Sequence, residues 1–230
     1  MQPKVPRGER LAPALVDEYA ETRADDIYAC IPHDPQDLSQ GFQDITWRMF
    51  SNAINKAAFW LEEQLGKSNG SFEAFIYIGP RDLRYAILVL AAAKVGRVPL
   101  LLSLLSSLEG KVKLAKVTGS EYILHGDGFG PLASTIQENL SSVSLITTPG
   151  LRQWLGGDPC KSYAWTKTYD EAKDDPLFIA HSSGTTGQSY VYVCAWGWTN
   201  TDYDYQVYQS QSSGLTACSA TWMQRMIFQT

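Results

Sequence analysis

"FEAFIYIGPRDLRYAILVLAAAKVGRVPLLLS", residues 72–103, decides the fold class. Phe72 to Ile78 is short and rich in aromatic and branched side chains, and it stops at Gly79-Pro80, a pair that ends regular structure. Arg81 to Val95 then runs at helical length and is apolar on most of its circumference, with Gly96 as its stop signal. Val98 to Leu102 is a second short apolar run. A strand, a buried helix and a second strand in succession form the unit from which parallel sheets are built.

The same alternation continues outward. Upstream, "ITWRMFSNAINKAAFWLEEQLG" places Phe50, Ile54, Ala57, Leu61 and Leu65 on one helical face, with Thr46 as N-cap and Gly66 as stop. Downstream come "SLEGKVKLAKVTG" as a helix and "EYILH" as a strand. "PLASTIQENL", "SVSLITT" and "GLRQWLGG" extend the pattern. The expected fold class is α/β, with parallel-sheet layers and flanking helices. Residues 45–155 are expected to form one unit in which "FIYIG", "VPLLL" and "EYILH" are adjacent buried strands. The turn-rich segment from Gly156 to Pro176 reads as a connection rather than an element.

Composition narrows the functions. The chain has 230 residues, and a hydrophobic fraction of 44% supports a sizeable core. A net charge of −5 argues against a nucleic-acid surface, which would show clustered Lys and Arg. There is no basic amphipathic helix for a membrane surface, and the apolar runs fall short of the roughly 20 residues a span needs. "MQPKVPRGERLAP" has no apolar stretch after its charges, so no secretory signal is expected. Cys30, Cys160, Cys194 and Cys218 form no CxxC pair, which makes reduced thiols in a cytoplasmic protein the expectation.

Chemistry concentrates in "FIAHSSGTTGQSYVY", Phe178 to Tyr192. Gly184 and Gly187 allow the backbone to bring N–H groups close to an anion, and Ser182, Ser183, Thr185 and Thr186 add hydroxyl donors. A strand entering such a loop is a common setting for nucleotide phosphates. It is not a Walker loop, because the Lys of that pattern is absent. By residue type alone, a plain Ser/Thr/Gly turn is an equal reading. His181 is read as a packing or hydrogen-bonding residue rather than a general base. His33 and His125 lack partners at metal spacing, and Asp174-Asp175 read as a solvated turn, so no metal site and no catalytic residue is assigned.

"DDPLFIAHSSGTTG" resembles the phosphate-loop motif of the adenylate-forming superfamily, which includes the acyl-CoA synthetases and the adenylation domains of peptide synthetases. "ITWRMFSNAINKAAFWL" is similar to that family's Thr-Tyr-x-Glu-Leu helix start. "LVLAAAKVGRVPLLLS" is similar to its Leu-x-Ala-x-Lys-x-Gly-x-x-x-x-Pro segment, in the right order. His181 ahead of the loop resembles peptide-synthetase-like carboxylate reductases more than acyl-CoA ligases. The resemblance covers residues 10–188. It implies binding of ATP with Mg and a carboxylic acid substrate, with coenzyme A or a phosphopantetheine as thiol acceptor. It also implies carrier and reductase domains as partners in a parent protein. Ser182, Ser183, Gly184, Thr185, Thr186 and Gly187 would hold the β- and γ-phosphates.

The resemblance stops at the loop. The family continues with x-Pro-Lys, whereas this chain reads Gln188-Ser189-Tyr190. Residues 189–230 carry three charged side chains, Asp202, Asp204 and Arg225, so this segment differs in texture from the body. No helical or strand period of useful length is evident there, and poor order is the expectation. The simplest account is the N-terminal piece of an adenylation domain followed by unrelated sequence. A non-catalytic fragment, and an interaction protein reusing the fold, are the alternatives.

Overall fold

The computed structural model describes residues 10–181 and the backbone of residues 191–195. The chain opens with helix α1, Ala12–Thr22, which has a proline in its first turn. Strands β1, Ile27–Pro32, and β2, Phe42–Thr46, pair antiparallel as a small separate sheet. The sequence reading started its alternation at Ile45 and gave this hairpin no element. Tyr28 fixes the hairpin to the body by stacking on Phe50 at 3.9 Å between ring centroids. Burial pushes its phenol up to about 12.

Helix α2, Trp47–Leu65, follows directly. The Thr46 hydroxyl accepts the Met49 N–H at 3.3 Å, and Gly66 ends the helix at φ +73°. Phe50, Ile54, Ala57 and Leu61 are at most 1% exposed, the face that their spacing predicts. Truncating one such side chain, Leu61→Ala, would cost about 2–5 kcal/mol.

The main sheet follows in order. Strand β3, Ala74–Ile78, leads through helix α3, Arg84–Lys94, to β4, Val98–Leu101. Helix α4, Leu108–Thr118, leads to β5, Tyr122–His125, and α5, Gly130–Gln137, leads to β6, Ser144–Thr147. After short helices α6, Leu151–Leu155, and α7, Tyr169–Ala172, the chain enters β7, Pro176–His181, and then β8, Val191–Ala195. The sheet order is β6-β5-β3-β4-β7-β8; the first five strands are parallel and β8 is antiparallel to β7. The three strands expected to be adjacent are indeed neighbours, with β3 between β5 and β4.

Both faces of the sheet are covered, as a parallel sheet requires. Along β3 the side chains alternate. Phe75 and Tyr77 face the core built with α1, α2, α3 and α6, whereas Ile76 and Ile78 face the smaller core of α4 and α5.

Two expectations need correction. The stretch from Gly156 to Pro176 contains the short helix α7, held by the Glu171 carboxylate, which accepts from the Thr168 N–H and hydroxyl at 2.8 Å each. Its earlier part is strapped to α2. Asn55 Oδ1 accepts the Tyr163 N–H at 3.2 Å, and Lys56 Nζ donates to the Gly156 carbonyl at 2.5 Å. The second correction concerns residues 189–230, in which no element was expected. Val191–Ala195 runs as the antiparallel edge strand of the main sheet, which suits its branched and aromatic residue types. The rest of that segment lies outside the described residues.

Candidate functional site

In an open parallel sheet, ligands bind outside the carboxyl ends of the strands. Here those ends are formed by the residues after β3, β4, β5 and β7. Ser182, Ser183, Gly184, Thr185, Thr186 and Gly187 follow β7 without a break in sequence, but they lie outside the described residues. What the structure places is their frame: His181 ends β7, and Val191 opposite it begins β8.

His181 is buried, at 7% exposure. Its Nε2 accepts the N–H of Ser103 at 2.9 Å, in the loop just after β4. An imidazole nitrogen that accepts an N–H must be unprotonated, so the neutral ring carries its proton on Nδ1. The same loop is held from below by Lys111 of α4, whose ammonium donates to the carbonyls of Leu104, at 3.1 Å, and Ser106. Lys111 is 3% exposed, and burial lowers its pKa. Leu105, at the tip, is 85% exposed.

After β3 and β5 the chain turns tightly. Gly79 lies directly over Tyr77, and a Cβ built there would meet Tyr77 Oη at 2.2 Å. Tyr85 Oη donates to the Gly79 carbonyl at 3.2 Å. A Cβ on Gly126 would meet Pro80 Cδ at 2.7 Å, so the two turns pack against each other through glycine. Arg84 is 5% exposed and forks onto Asp82, with Nη2 at 2.8 Å from Oδ2. Its Nη1 stands 3.8 Å from the carboxylate of Asp127 in the turn after β5. Burial lowers the Arg84 pKa, but the Asp82 contact outweighs it and the net shift is upward.

The other residues considered from sequence have structural partners. The two ring nitrogens of His125 contact the Gly126 carbonyl at 3.2 Å and the Thr147 hydroxyl at 3.3 Å. His33 is exposed, and its carbonyl accepts from Arg152. Asp175 pairs with Lys167 at 2.5 Å. Lys94, the Lys of "LAAAKVG", has a fully buried side chain that contacts Asp17 at 2.7 Å, Asn55 at 3.1 Å and the Tyr163 carbonyl at 2.9 Å. Sequence reasoning treated it as a family marker only. Burial lowers its pKa, with Asp17 opposing. Among the described residues no three His, Cys, Asp or Glu side chains gather as a metal site, and no helix is long and apolar enough to cross a membrane.

Residues 16–189 match the family model described as AMP-binding enzyme. The chain belongs to that family. An isocyanide synthase–NRPS hybrid of Aspergillus fumigatus is 34% identical over 185 residues, which cover 80% of this chain and 12% of the relative. A carboxylic acid reductase of Neurospora crassa is 29% identical over 189 residues, covering 81% of this chain and 18% of the relative. The chain therefore spans less than a fifth of either curated relative. Acetoacetyl-CoA synthetase from Streptomyces lividans shares the fold with a TM-score of 0.64 at 17% identity, over 83% of this chain and 31% of that one. The AMP-binding chain thus has the parallel sheet and flanking helices of the N-terminal part of adenylate-forming enzymes.

Proposed function

We propose that this chain supplies the phosphate-holding part of an ATP-dependent, carboxylate-activating reaction. The observation that carries the reading is the position of Ser182–Gly187: they follow the buried strand β7 at the carboxyl end of a parallel sheet, inside the family match. In that reaction a carboxylate oxygen attacks the α-phosphorus of Mg·ATP. The bond from that phosphorus to the bridging oxygen breaks, and pyrophosphate leaves to give an acyl-adenylate. Backbone N–H groups and four hydroxyls would hold the β- and γ-phosphates as charge develops on the leaving group. A thiol, either coenzyme A or the phosphopantetheine of a carrier domain, would then take the acyl group. The two curated relatives support a carrier-linked setting, with a carrier and a reductase as partner domains and a carboxylic acid as substrate.

We place the adenylation portion at residues 10–188 and treat 189–230 as a segment of different origin. Where the family has x-Pro-Lys, Gln188-Ser189-Tyr190 supplies no cation to offset phosphate charge. Without that cation, this chain alone should bind Mg·ATP weakly and should not turn over. The test is ATP–pyrophosphate exchange with aryl, fatty and amino acids, using Gly184→Val as control. No exchange above that control is expected, and exchange with any acid would overturn the claim. Genomic sequence downstream of the Gln188 codon tests the division, since Pro-Lys and the later motifs in another frame or exon are expected there.

A further inference from the structure

The strand β4 has two unlike neighbours. Toward β3 it forms four register pairs, from Ala74↔Val98 to Tyr77↔Leu101. Toward β7 it forms one, Leu100↔Ile179. The other parallel seams have three and four pairs. Pro99 belongs to this strand. It sits in a strand with a neighbour on each side yet has no N–H, so β4 lacks one ladder donor. The β3 side keeps its full register.

At the carboxyl end of this seam a side chain adds a connection, that of His181. The ring reaches across to the Ser103 N–H at 2.9 Å, joining residues 78 apart in sequence. The backbone of His181 is engaged on the opposite side, in register with Val191 of β8. The receiving loop has a second anchor in Lys111, whose ammonium holds the Leu104 and Ser106 carbonyls. The loop is thus held at both ends by side chains.

We propose that His181, in its Nδ1–H tautomer, is a positioning residue that sets the spacing between β4 and β7 where the phosphate loop leaves the sheet. This rests on reading Ser182–Gly187 as that loop. Its backbone begins one bond after His181, so any displacement of the ring that moved β7 relative to Ser103 would move the first phosphate-binding N–H groups with it. The side chain touches neither substrate nor phosphate in this role.

The experiment uses the full chain labelled with 15N. In the wild type, the imidazole spectrum of His181 should show a protonated Nδ1 and an unprotonated Nε2 acceptor, and the Ser103 amide should be protected. In His181→Ala the Ser103 amide should exchange at least about tenfold faster while Ile123 in β5 stays protected, which separates local release from unfolding. His181→Gln, which restores an acceptor at a similar reach, should recover most of the protection. A protonated Nε2 in the wild type overturns the proposal without any variant. So does unchanged Ser103 exchange in His181→Ala. Titration of the wild type with millimolar Mg·ATP tests the underlying reading separately. If the amides of 182–187 do not shift, the phosphate-loop assignment fails, and Ser103 exchange still decides whether the tie exists.

Discussion

One strand, β4, separates two seams that are held by different means. Its seam with β3 is main chain throughout and is locked at its amino end. The single proton of the Ser68 hydroxyl lies between the Glu73 carboxylate at 2.6 Å and the Gly96 carbonyl at 2.9 Å, and the carboxylate also accepts the Asn69 N–H at 2.9 Å. Its seam with β7 is one register pair and one imidazole. A ladder distributes its energy over many bonds that form or break together, whereas a single side-chain bond is worth about 0.5–1.5 kcal/mol and can open alone. Both seams, the firm one with β3 and the soft one with β7, lie in the core, and the latter reaches the candidate site at its carboxyl end.

The largest expected effect comes from breaking the firm side through its crossover helix. Lys94 leaves α3 to hold α1, α2 and the strap at Tyr163 together. Lys94→Met keeps the stem but strands Asp17 and Asn55, and loss of one partner of a buried pair costs about 3–5 kcal/mol. Urea unfolding should show the midpoint fall sharply with its slope unchanged. A shift under about 1 kcal/mol would mean that the pair is structurally idle.

Gly79→Ala should come next. The new Cβ meets Tyr77 Oη at 2.2 Å and Cζ at 2.6 Å, and Tyr77 is fully buried between α3 and the sheet. The ring cannot swing out, so overpacking of about 1–3 kcal/mol is expected. The measurement is thermal unfolding, and an unchanged midpoint would show that the turn after β3 has slack. By contrast, His181→Ala should cost only about 1 kcal/mol globally while releasing Ser103, which is the signature of the soft seam.

The limits of the sequence follow the same division. The face of α2 and its Thr46 cap were legible because they depend on neighbours three or four residues away, and the adjacency of β3, β4 and β5 because successive strands joined by short crossovers usually lie side by side. The β1–β2 hairpin was missed because Ile27–Pro32 does not alternate cleanly and contains Cys30 and Pro32. The roles of Lys94 and His181 could not be read, since their partners Asp17 and Ser103 lie 77 and 78 residues away. Pro99 was in plain view as a residue that a paired strand tolerates poorly. Val98 to Leu102 was read as an ordinary buried strand, and nothing was drawn from the proline. Residues 182–187 lie outside the described residues, and by type alone they suit a phosphate setting and a plain turn equally.

The smallest effect sharpens the comparison by testing the lock of the firm seam with pH. Burial raises the Glu73 pKa, but the hydrogen bonds from Asn69 and Ser68, with the charge of Arg97 nearby, outweigh it, so the carboxyl sits below its ordinary 4.5. A carboxyl with a depressed folded-state value binds fewer protons folded than unfolded between the two values. Its contribution is therefore fully present above about 4.5 and is lost as pH falls through the folded value. The group is partly solvated, so the effect should stay under about 1 kcal/mol. The wild type and Glu73→Gln are compared by urea midpoint at pH 7 and again near pH 3, about 1.5 units below the ordinary 4.5. The gap between them should be widest at pH 7 and should narrow in acid, because the protonated Glu73 then resembles the amide. If the gap is the same at both pH values, the carboxylate charge contributes nothing to the lock. The firmness of the β3–β4 seam would then rest on its four register pairs alone.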